Sequence, residues 1–425
     1  LEGWAGCGGR GEIAMQMWVY IVRRLLLLIP ILIGVLTILF AIISALPTTE
    51  RIAAELGADK GGTPITPTIP CNNATTTSNP SSSGLSSAST GQCPNPAYQN
   101  AISRLGLNKP IPVQWGIYVW AGVTLNWGMT SPASFMSSQI GEGHHSIPVT
   151  TVLSWYLPFT IQLAALSLLI ILALSIPLGN YSAVFRNRPL DQGTRIMSFS
   201  GYALATFLLA SLLLIAGVDL LGGSSTTICG ASAYAAVYGS WPVQQTSCFN
   251  IIGLSWIGTH NYAPTSPTGF PIVDSMIHGQ WALALSAFSR EVLPALAIAY
   301  LSLAGILRYV RNSMLEVMNQ DYIRTARAKG VPESTVIRKH AGRNSLTVTV
   351  AVLGLTFAGF IGGFPVIEEV FGLNGIGKVL VWSILAPMDY GMIFGATILF
   401  TIIVVLANVM VDVIQAYLDP RIRLG

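Results

Sequence analysis

The sequence is poor in charge. Only 9% of its 425 residues are Asp, Glu, Lys or Arg, against about 25% in an average soluble domain. A soluble enzyme, a disordered regulator or a nucleic-acid binder does not run on so few charges. Cysteine is scarce too: five residues are too few for a disulfide scaffold. No nucleophile elbow and no His-Glu-x-x-His pattern is present, so no catalytic residue is expected. His144-His145 has no Cys or carboxylate cluster to complete a ligand set and reads as a solvated loop pair, so no metal site is expected either. Leu1 to Gln16 is Gly-rich and lacks the hydrophobic core of a signal peptide. Leu in first position suggests a start read from a non-standard codon, with Met15 or Met17 as alternative starts. What the chain has in abundance is apolar sequence. It is 52% hydrophobic, with a mean hydropathy of +0.60, which points to a membrane protein.

A membrane helix needs about 20 apolar residues in a row. Six stretches qualify or nearly so: Leu25 to Leu46, Trp155 to Phe185, Ile196 to Val218, Val292 to Leu307 with a weakly polar extension back past Trp281, Asn344 to Ile367, and Tyr390 to Val411. The expected fold is therefore all-α and polytopic, with six transmembrane helices and two long extracellular loops. In segments, the chain reads as a cytoplasmic N-terminal extension (1–17), a first transmembrane helix kept as an anchor (18–46) and an extracellular loop (47–151). Transmembrane helices 2 and 3 (152–221), an extracellular insert (222–290), helices 4 to 6 with a cytoplasmic loop at 312–343 (291–416) and a cytoplasmic C-terminus (417–425) follow. With both termini in the cytoplasm, sixteen Lys and Arg fall on the inner side and six on the outer. That bias sets the orientation and places the chain in the cell membrane, against lipid. The spans hold almost no ionisable groups, which argues against a proton-coupled transporter.

The first outer loop contains a low-complexity stretch. Of the 36 residues from Gly61 to Pro96, 28 are Gly, Ser, Thr, Asn or Pro and none is charged. Such a stretch cannot bury a core and reads as a flexible tether. Asn73-Ala74-Thr75 within it is a glycosylation sequon. Val113 to Trp127, with Trp115, Trp120 and Trp127, reads as an interfacial helix rather than a seventh span. Cys71 and Cys93 share the first outer loop, and Cys229 and Cys248 share the second. Two local disulfides on an oxidising face would each close a loop of about 20 residues and contribute roughly 3 kcal/mol. The alternative is four unpaired thiols.

Gly372 to Val379 (Gly-Leu-Asn-Gly-Ile-Gly-Lys-Val) nearly matches a phosphate-binding loop. Val379 replaces the Ser or Thr that ligates magnesium, the preceding segment is a membrane helix rather than a strand, and the loop falls on the outer side. Any ATP and magnesium must then be bound by a partner, and no cofactor is expected in this chain. The informative segment is the cytoplasmic one after the fourth span. Asp321-Tyr322-Ile323-Arg324-Thr325-Ala326-Arg327-Ala328-Lys329-Gly330-Val331-Pro332 reads as a helix, a stop and a new helix. Asp321 lies early and Lys329 late, matching the helix dipole. Gly330 and Pro332 supply the stop and restart. The small residues Ala326, Ala328 and Gly330 let another protein approach closely. The simpler alternative for the basic residues is an orientation anchor.

Asp321 to Gly330 closely resembles the cytoplasmic loop of the membrane-spanning permease subunits of peptide-type ATP-binding-cassette importers, the dipeptide and oligopeptide class. Three further stretches resemble the same family: Arg104 to Gln114 (Arg-Leu-Gly-Leu-Asn-Lys-Pro-Ile-Pro-Val-Gln), Glu368-Glu369-Val370-Phe371 through Gly375-Ile376-Gly377, and Asp419-Pro420-Arg421-Ile422-Arg423. Together they cover about Trp18 to Leu424. In two respects the sequence departs from the family. Arg324 stands where the general importer pattern has Glu, as is usual in the peptide class, and the tether and the Gly222 to Arg290 insert are larger than typical. The resemblance implies that Asp321, Tyr322, Arg324, Thr325, Ala326, Arg327, Ala328, Lys329 and Gly330 form a coupling helix that docks on an ATPase subunit. It implies as partners a second permease subunit, two ATP-binding-cassette ATPase subunits that hydrolyse the ATP, and an extracellular substrate-binding protein. It implies that Glu368 and Glu369 shape an outer gate, the alternative being a solvated acidic pair. It implies peptides as substrate, with oligosaccharides, and in some relatives nickel, as alternatives.

Overall fold

A computed structural model describes residues 26–46, 48, 52, 68–70, 92–130, 147–221, 268–342, 344, 345, 349, 352, 360, 365–385 and 388–418. Its helices, in chain order, are α1 (Leu28–Ala45), α2 (Pro96–Leu105), α3 (Ile111–Val123), α4 (Val149–Val184), α5 (Pro189–Ala203), α6 (Thr206–Leu221), α7 (Pro271–Ile277), α8 (Trp281–Met318), α9 (Asp321–Ala328), the short α10 (Glu333–Thr335), α11 (Ile376–Ile384) and α12 (Tyr390–Leu418). A π-helical turn, Val336–Ala341, continues α10, and residues 365–371 are also helical. Two three-residue strands, β1 (Thr68–Pro70) and β2 (Gln92–Pro94), pair antiparallel with Ile69 opposite Cys93. The protein is thus an all-α polytopic membrane protein with one small ladder among its described residues. Both strands lie within the Gly61 to Pro96 stretch expected to be a flexible tether, where Thr and Ile favour extended backbone.

Three described helical stretches are long and apolar enough to cross a bilayer: Val149–Val184, Ala287–Met318 and Tyr390–Ile414. They coincide with the second, fourth and sixth expected spans. The 36 residues of α4 rise about 54 Å, so its ends run well past the roughly 30 Å hydrocarbon core. The third expected span is broken. Leu204 takes extended backbone (ψ 128°) at the end of α5, and α5 and α6 meet at 113°. The cause lies in packing rather than in a proline. Ser200 shares a hydrogen bond with Tyr300 of α8, and a Cβ on Gly201 would press on Ala304. Those contacts hold α5 against α8, where hydropathy sees only an apolar run. Of the fifth expected span, Asn344 to Ile367, most lies outside the described residues.

The chain divides into two compact units: Leu1–Leu32, Leu153–Val381 and Leu399–Gly425 in one, Ile33–Val152 and Trp382–Ile398 in the other. In the first, α8 is the central helix. Its Ala295, Ala299, Leu303 and Ile306 are buried with Leu163 and Ile171 of α4 and Ala210 of α6. Gly179 of α4 lets α8 come close: a Cβ there would stand 2.6 Å from Val310 Cγ1. Small residues at such crossings are how membrane helices gain van der Waals contact without a hydrophobic driving force. Because α8 is continuous from Trp281, Arg290 and Glu291 lie inside the helix and are buried. Both fall in the weakly polar extension of the expected fourth span, ahead of its uncharged part from Val292, and Arg290 is the last residue of the expected extracellular insert.

In the second unit α3 packs along α1. Trp115 Nε1 donates to Thr37 Oγ1 at 3.1 Å, Tyr118 lies against Phe40 and Phe394, and Gly122 abuts Leu36. Trp120, on the other side, is 70% exposed. At 13 residues, or about 20 Å, α3 is too short to cross a bilayer.

Candidate functional site

The cytoplasmic segment folds as helix, stop and helix. In α9, Asp321 occupies the first turn and Arg327 the last, each complementing the helix dipole. Ile323 is fully buried, in a cluster with Ala183 of α4, Met314 of α8, and Val336 and Ala341 of the following turn. Ala326 is half-buried on the same cluster. The other site residues, Asp321, Tyr322, Arg324, Thr325, Arg327, Ala328, Lys329 and Gly330, are exposed. One anchored apolar position therefore holds the helix on the bundle and turns a charged, small-residue face outward.

The stop is a glycine cap. Gly330 sits at φ +75°, a left-handed backbone that favours glycine. Its N–H donates to Arg327 O at 2.9 Å and the Val331 N–H donates to Ala326 O at 3.2 Å. These are the paired bonds of a Schellman motif, and Val331 adds its usual apolar contact by packing on the Ile323 cluster. Pro332 then caps α10. Arg327 grips the first residue of α10 with a fork, Nη2 to Glu333 Oε1 at 2.7 Å and Nε to Oε2 at 3.1 Å. The guanidinium holds the Glu333 carboxyl below its usual range. A second tie runs to the far end of the segment, where Asn344 Nδ2 donates to the Tyr322 hydroxyl at 2.8 Å. Thus α9 is fixed by Ile323 beneath, Glu333 ahead and Asn344 beside it.

The second expected site has a different character. Glu368 is 1% exposed whereas Glu369 is exposed, so the pair is not a solvated acidic pair. Glu368 Oε1 accepts from Thr160 Oγ1 of α4 at 2.8 Å. Its Oε2 accepts from the Lys378 N–H at 3.0 Å, in the first turn of α11. Thr160 Oγ1 in turn accepts from the Ile376 N–H at 2.9 Å. The carboxylate therefore satisfies the N-terminal donors of α11, where negative charge is favoured. A side chain at Gly375 would overlap the Glu368 carboxylate, and one at Gly377 would stand 2.6 Å from Pro365 N and Cα. The near-phosphate-loop pattern thus cradles an internal carboxylate. Residues 365–371 end as α9 does: Gly372 has φ +65°, its N–H donates to Glu369 O, and the Leu373 N–H donates to Glu368 O.

Several sites bear on function that the sequence reading did not single out. Thr160, the relay between Glu368 and α11, carries no local signal in an apolar run. Gln162, two residues further along α4 and so on the opposite side of that helix, donates to Glu291 of α8 and accepts from the Ile272 N–H of α7. A carboxylate inside a span was the available cue for Glu291. Asp191, fully buried beside Arg311, is another. Of the remaining expectations, Asn73, Cys71, Cys229, Cys248 and His144-His145 lie outside the described residues, and of Cys93 only its backbone in β2 is described. Among the described residues no group of three His, Cys, Asp or Glu could hold a metal ion.

Comparison with known proteins bears on both loops. Residues 175–424 match the family described as "Binding-protein-dependent transport system inner membrane component". That range runs from within α4 through α9 and Glu368 to beyond the end of α12. The chain is 30% identical over 408 residues to "Oligopeptide transport system permease protein AppB" of Bacillus subtilis (strain 168), covering 96% of this chain and 100% of that protein. It is 30% identical over 328 residues to "Probable D,D-dipeptide transport system permease protein DdpB" of Escherichia coli (strain K12), covering 77% of this chain and 84% of that protein. It is 26% identical over 404 residues to "Dipeptide transport system permease protein DppB" of the same strain, covering 95% and 98%. On this match the chain belongs to the binding-protein-dependent inner membrane components, as a permease of the peptide-type class of ATP-binding-cassette importers.

Proposed function

We propose that this chain forms half of a translocation pathway for peptides, with α9 as the helix through which ATP hydrolysis in a partner subunit drives it. The observation that carries this reading is the build of α9: one buried anchor at Ile323 and a charged, small-residue face turned outward. A solvated basic anchor needs no such pinned helix, whereas a helix that must transmit force into a groove does. The chain binds no ATP or magnesium of its own in this reading. Two ATPase subunits hold both, one of them against α9, and a second permease chain supplies the other half of the pathway. An extracellular binding protein delivers the peptide. Closing of the ATPases moves the docked helices and rocks the bundle from inward-open to outward-open as a rigid body.

The orientation that goes with this puts both termini and α9 in the cytoplasm, as the Lys and Arg bias requires. Six spans complete the core. Glu368 and Glu369 belong to the outer gate, with Glu368 acting by fixing α11. Cys71 with Cys93 and Cys229 with Cys248 form two outer disulfides. The ladder supports the first pair, since it brings the backbone of Cys93 opposite Ile69, two residues before Cys71. Asn73 is available for glycosylation where the machinery exists. The relatives' names speak for peptides over oligosaccharides.

The test is to purify the complex through a tag on this chain and measure its ATPase rate with the binding protein present. Short peptides should stimulate the rate and short oligosaccharides should not. Stimulation by sugars alone would overturn the substrate, and failure of any ATPase subunit to co-purify would overturn the role of α9.

A further inference from the structure

Next to the seat of the coupling helix lies a buried carboxylate that accepts five hydrogen bonds. Asp191 stands in the first turn of α5, fully buried. Its Oδ1 accepts from Ser182 Oγ of α4 at 2.7 Å and from Arg311 Nε of α8 at 2.8 Å. Its Oδ2 accepts from the Asn187 N–H at 2.9 Å, from Arg195 Nη2 at 2.9 Å and from Arg311 Nη2 at 3.4 Å. Asn187 is held at φ +66°, a backbone few non-glycine residues adopt. Ser182 Oγ also meets Thr194 Oγ1 at 3.1 Å. One side chain thus joins the end of α4, the connector, the start of α5 and the base of α8.

The position of this network gives it a role. Ser182 immediately precedes Ala183, and Arg311 lies three residues before Met314. Ala183 and Met314 are two of the residues on which Ile323 of the coupling helix sits. The polar network and the apolar seat are therefore adjacent layers on the same two helices. A displacement of α9 bears on α4 and α8 together through that seat. Without the network, the two helix ends lose these polar ties at that level, and the displacement would be absorbed by sliding between them. A buried carboxylate is retained at a desolvation cost that apolar packing would avoid. Fixing a register is the best-attested return on it.

We propose that Asp191 is a positioning residue for coupling: with Arg311 and Ser182 it clamps α4, α5 and α8 into one lever beneath the coupling helix. This rests on the reading of α9 given above. Loss of the clamp leaves ATPase docking intact and lets hydrolysis proceed without transport.

The experiment is done on the whole transporter, reconstituted in liposomes with its binding protein, and reads ATP hydrolysed per peptide taken up. Asp191→Asn is expected to keep its ATPase subunits and raise that ratio at least tenfold. Ser182→Ala and Arg311→Lys, which remove fewer bonds, are expected to raise it two- to fivefold, and they carry the test should Asp191→Asn not assemble. A purely structural role predicts instead that uptake and hydrolysis fall in parallel at a constant ratio. A wild-type ratio in Ser182→Ala and Arg311→Lys overturns the clamp. The reading of α9 fails separately, if wild-type complex holds no ATPase subunit.

Discussion

Two loops of this protein end a helix in the same way and use the ending for opposite purposes. After α9, Gly330 closes a Schellman motif at φ +75°; after residues 365–371, Gly372 closes another at φ +65°. Beyond Gly330 the space is open, and a Cβ there would meet nothing within 4 Å. Beyond Gly372 the chain turns inward, and Gly375 and Gly377 lie against Glu368 and Pro365. Small residues in the first loop leave room outside the chain. In the second they make room inside it. A string of glycines and alanines is the same in either case; the buried acid decides which it is. Glu368 is buried among its bonding partners, while Asp321, Arg324 and Lys329 are exposed, the first two joined only by a surface ion pair at 3.7 Å.

The sharpest way to break this contrast is to add one methyl group to each loop. Gly377→Ala forces a Cβ against Pro365 backbone, which cannot give way as a side chain can. Overpacking of this kind costs about 1–3 kcal/mol, and disturbing the cap of α11 adds about 1 kcal/mol. Gly330→Ala meets no atoms and bears only the left-handed backbone, about 1 kcal/mol. Thermal unfolding of the detergent-purified chain should show Gly377→Ala clearly below Gly330→Ala. Equal midpoints would mean that the glycines at 375–377 cradle nothing.

The next effect separates docking from folding. Ala328 is exposed on the outward face of α9, whereas Ala326 is half-buried on the Ile323 cluster, so a charge at Ala326 would disturb the fold as well as the partner. Ala328→Glu should leave the unfolding midpoint of the chain within about 0.5 kcal/mol of wild type, as for other surface changes. It should also reduce co-purifying ATPase at least tenfold, which is about 1.4 kcal/mol of association free energy. Full retention of the ATPase would place the docking face elsewhere.

Much of this was legible in the sequence, for reasons that can be named. Gly330 and Pro332 punctuate the chain strongly, so the stop after α9 was readable from two residues. Long uncharged runs marked α4 and α12, and the shorter run from Val292 to Leu307 marked the middle of α8. The break between α5 and α6 was not readable, because it comes from Ser200 and Gly201 meeting α8 far along the chain. Glu368 was legible as a motif residue but not as a cap, since its partner Thr160 is 208 positions away. Asp191 was not legible at all. A lone Asp near three arginines in a cytoplasmic turn looks solvated until Ser182 and Arg311 close over it.

The smallest expected effect concerns the Arg327–Glu333 fork, the only ion pair joining α9 to α10 among the described residues. Both side chains are well exposed, 39% and 53%, and surface pairs contribute about 0–1 kcal/mol. The fork depresses the Glu333 pKa in the folded protein. Its stabilisation is therefore complete above the unfolded carboxylate value, about 4.3, and is lost as pH falls through the lower folded value. Glu333→Gln should then unfold slightly earlier than wild type at pH 7. The gap should close in strongly acidic buffer, and also at about 1 M salt, where screening is down to about 3 Å. Such behaviour would fit a pair that orients the Gly330 turn rather than holds it, leaving Ile323 as the anchor. A gap of several kcal/mol that persisted in salt would instead make the fork the main restraint on α9, and the contrast between an open loop and a cradled one would lose its first member.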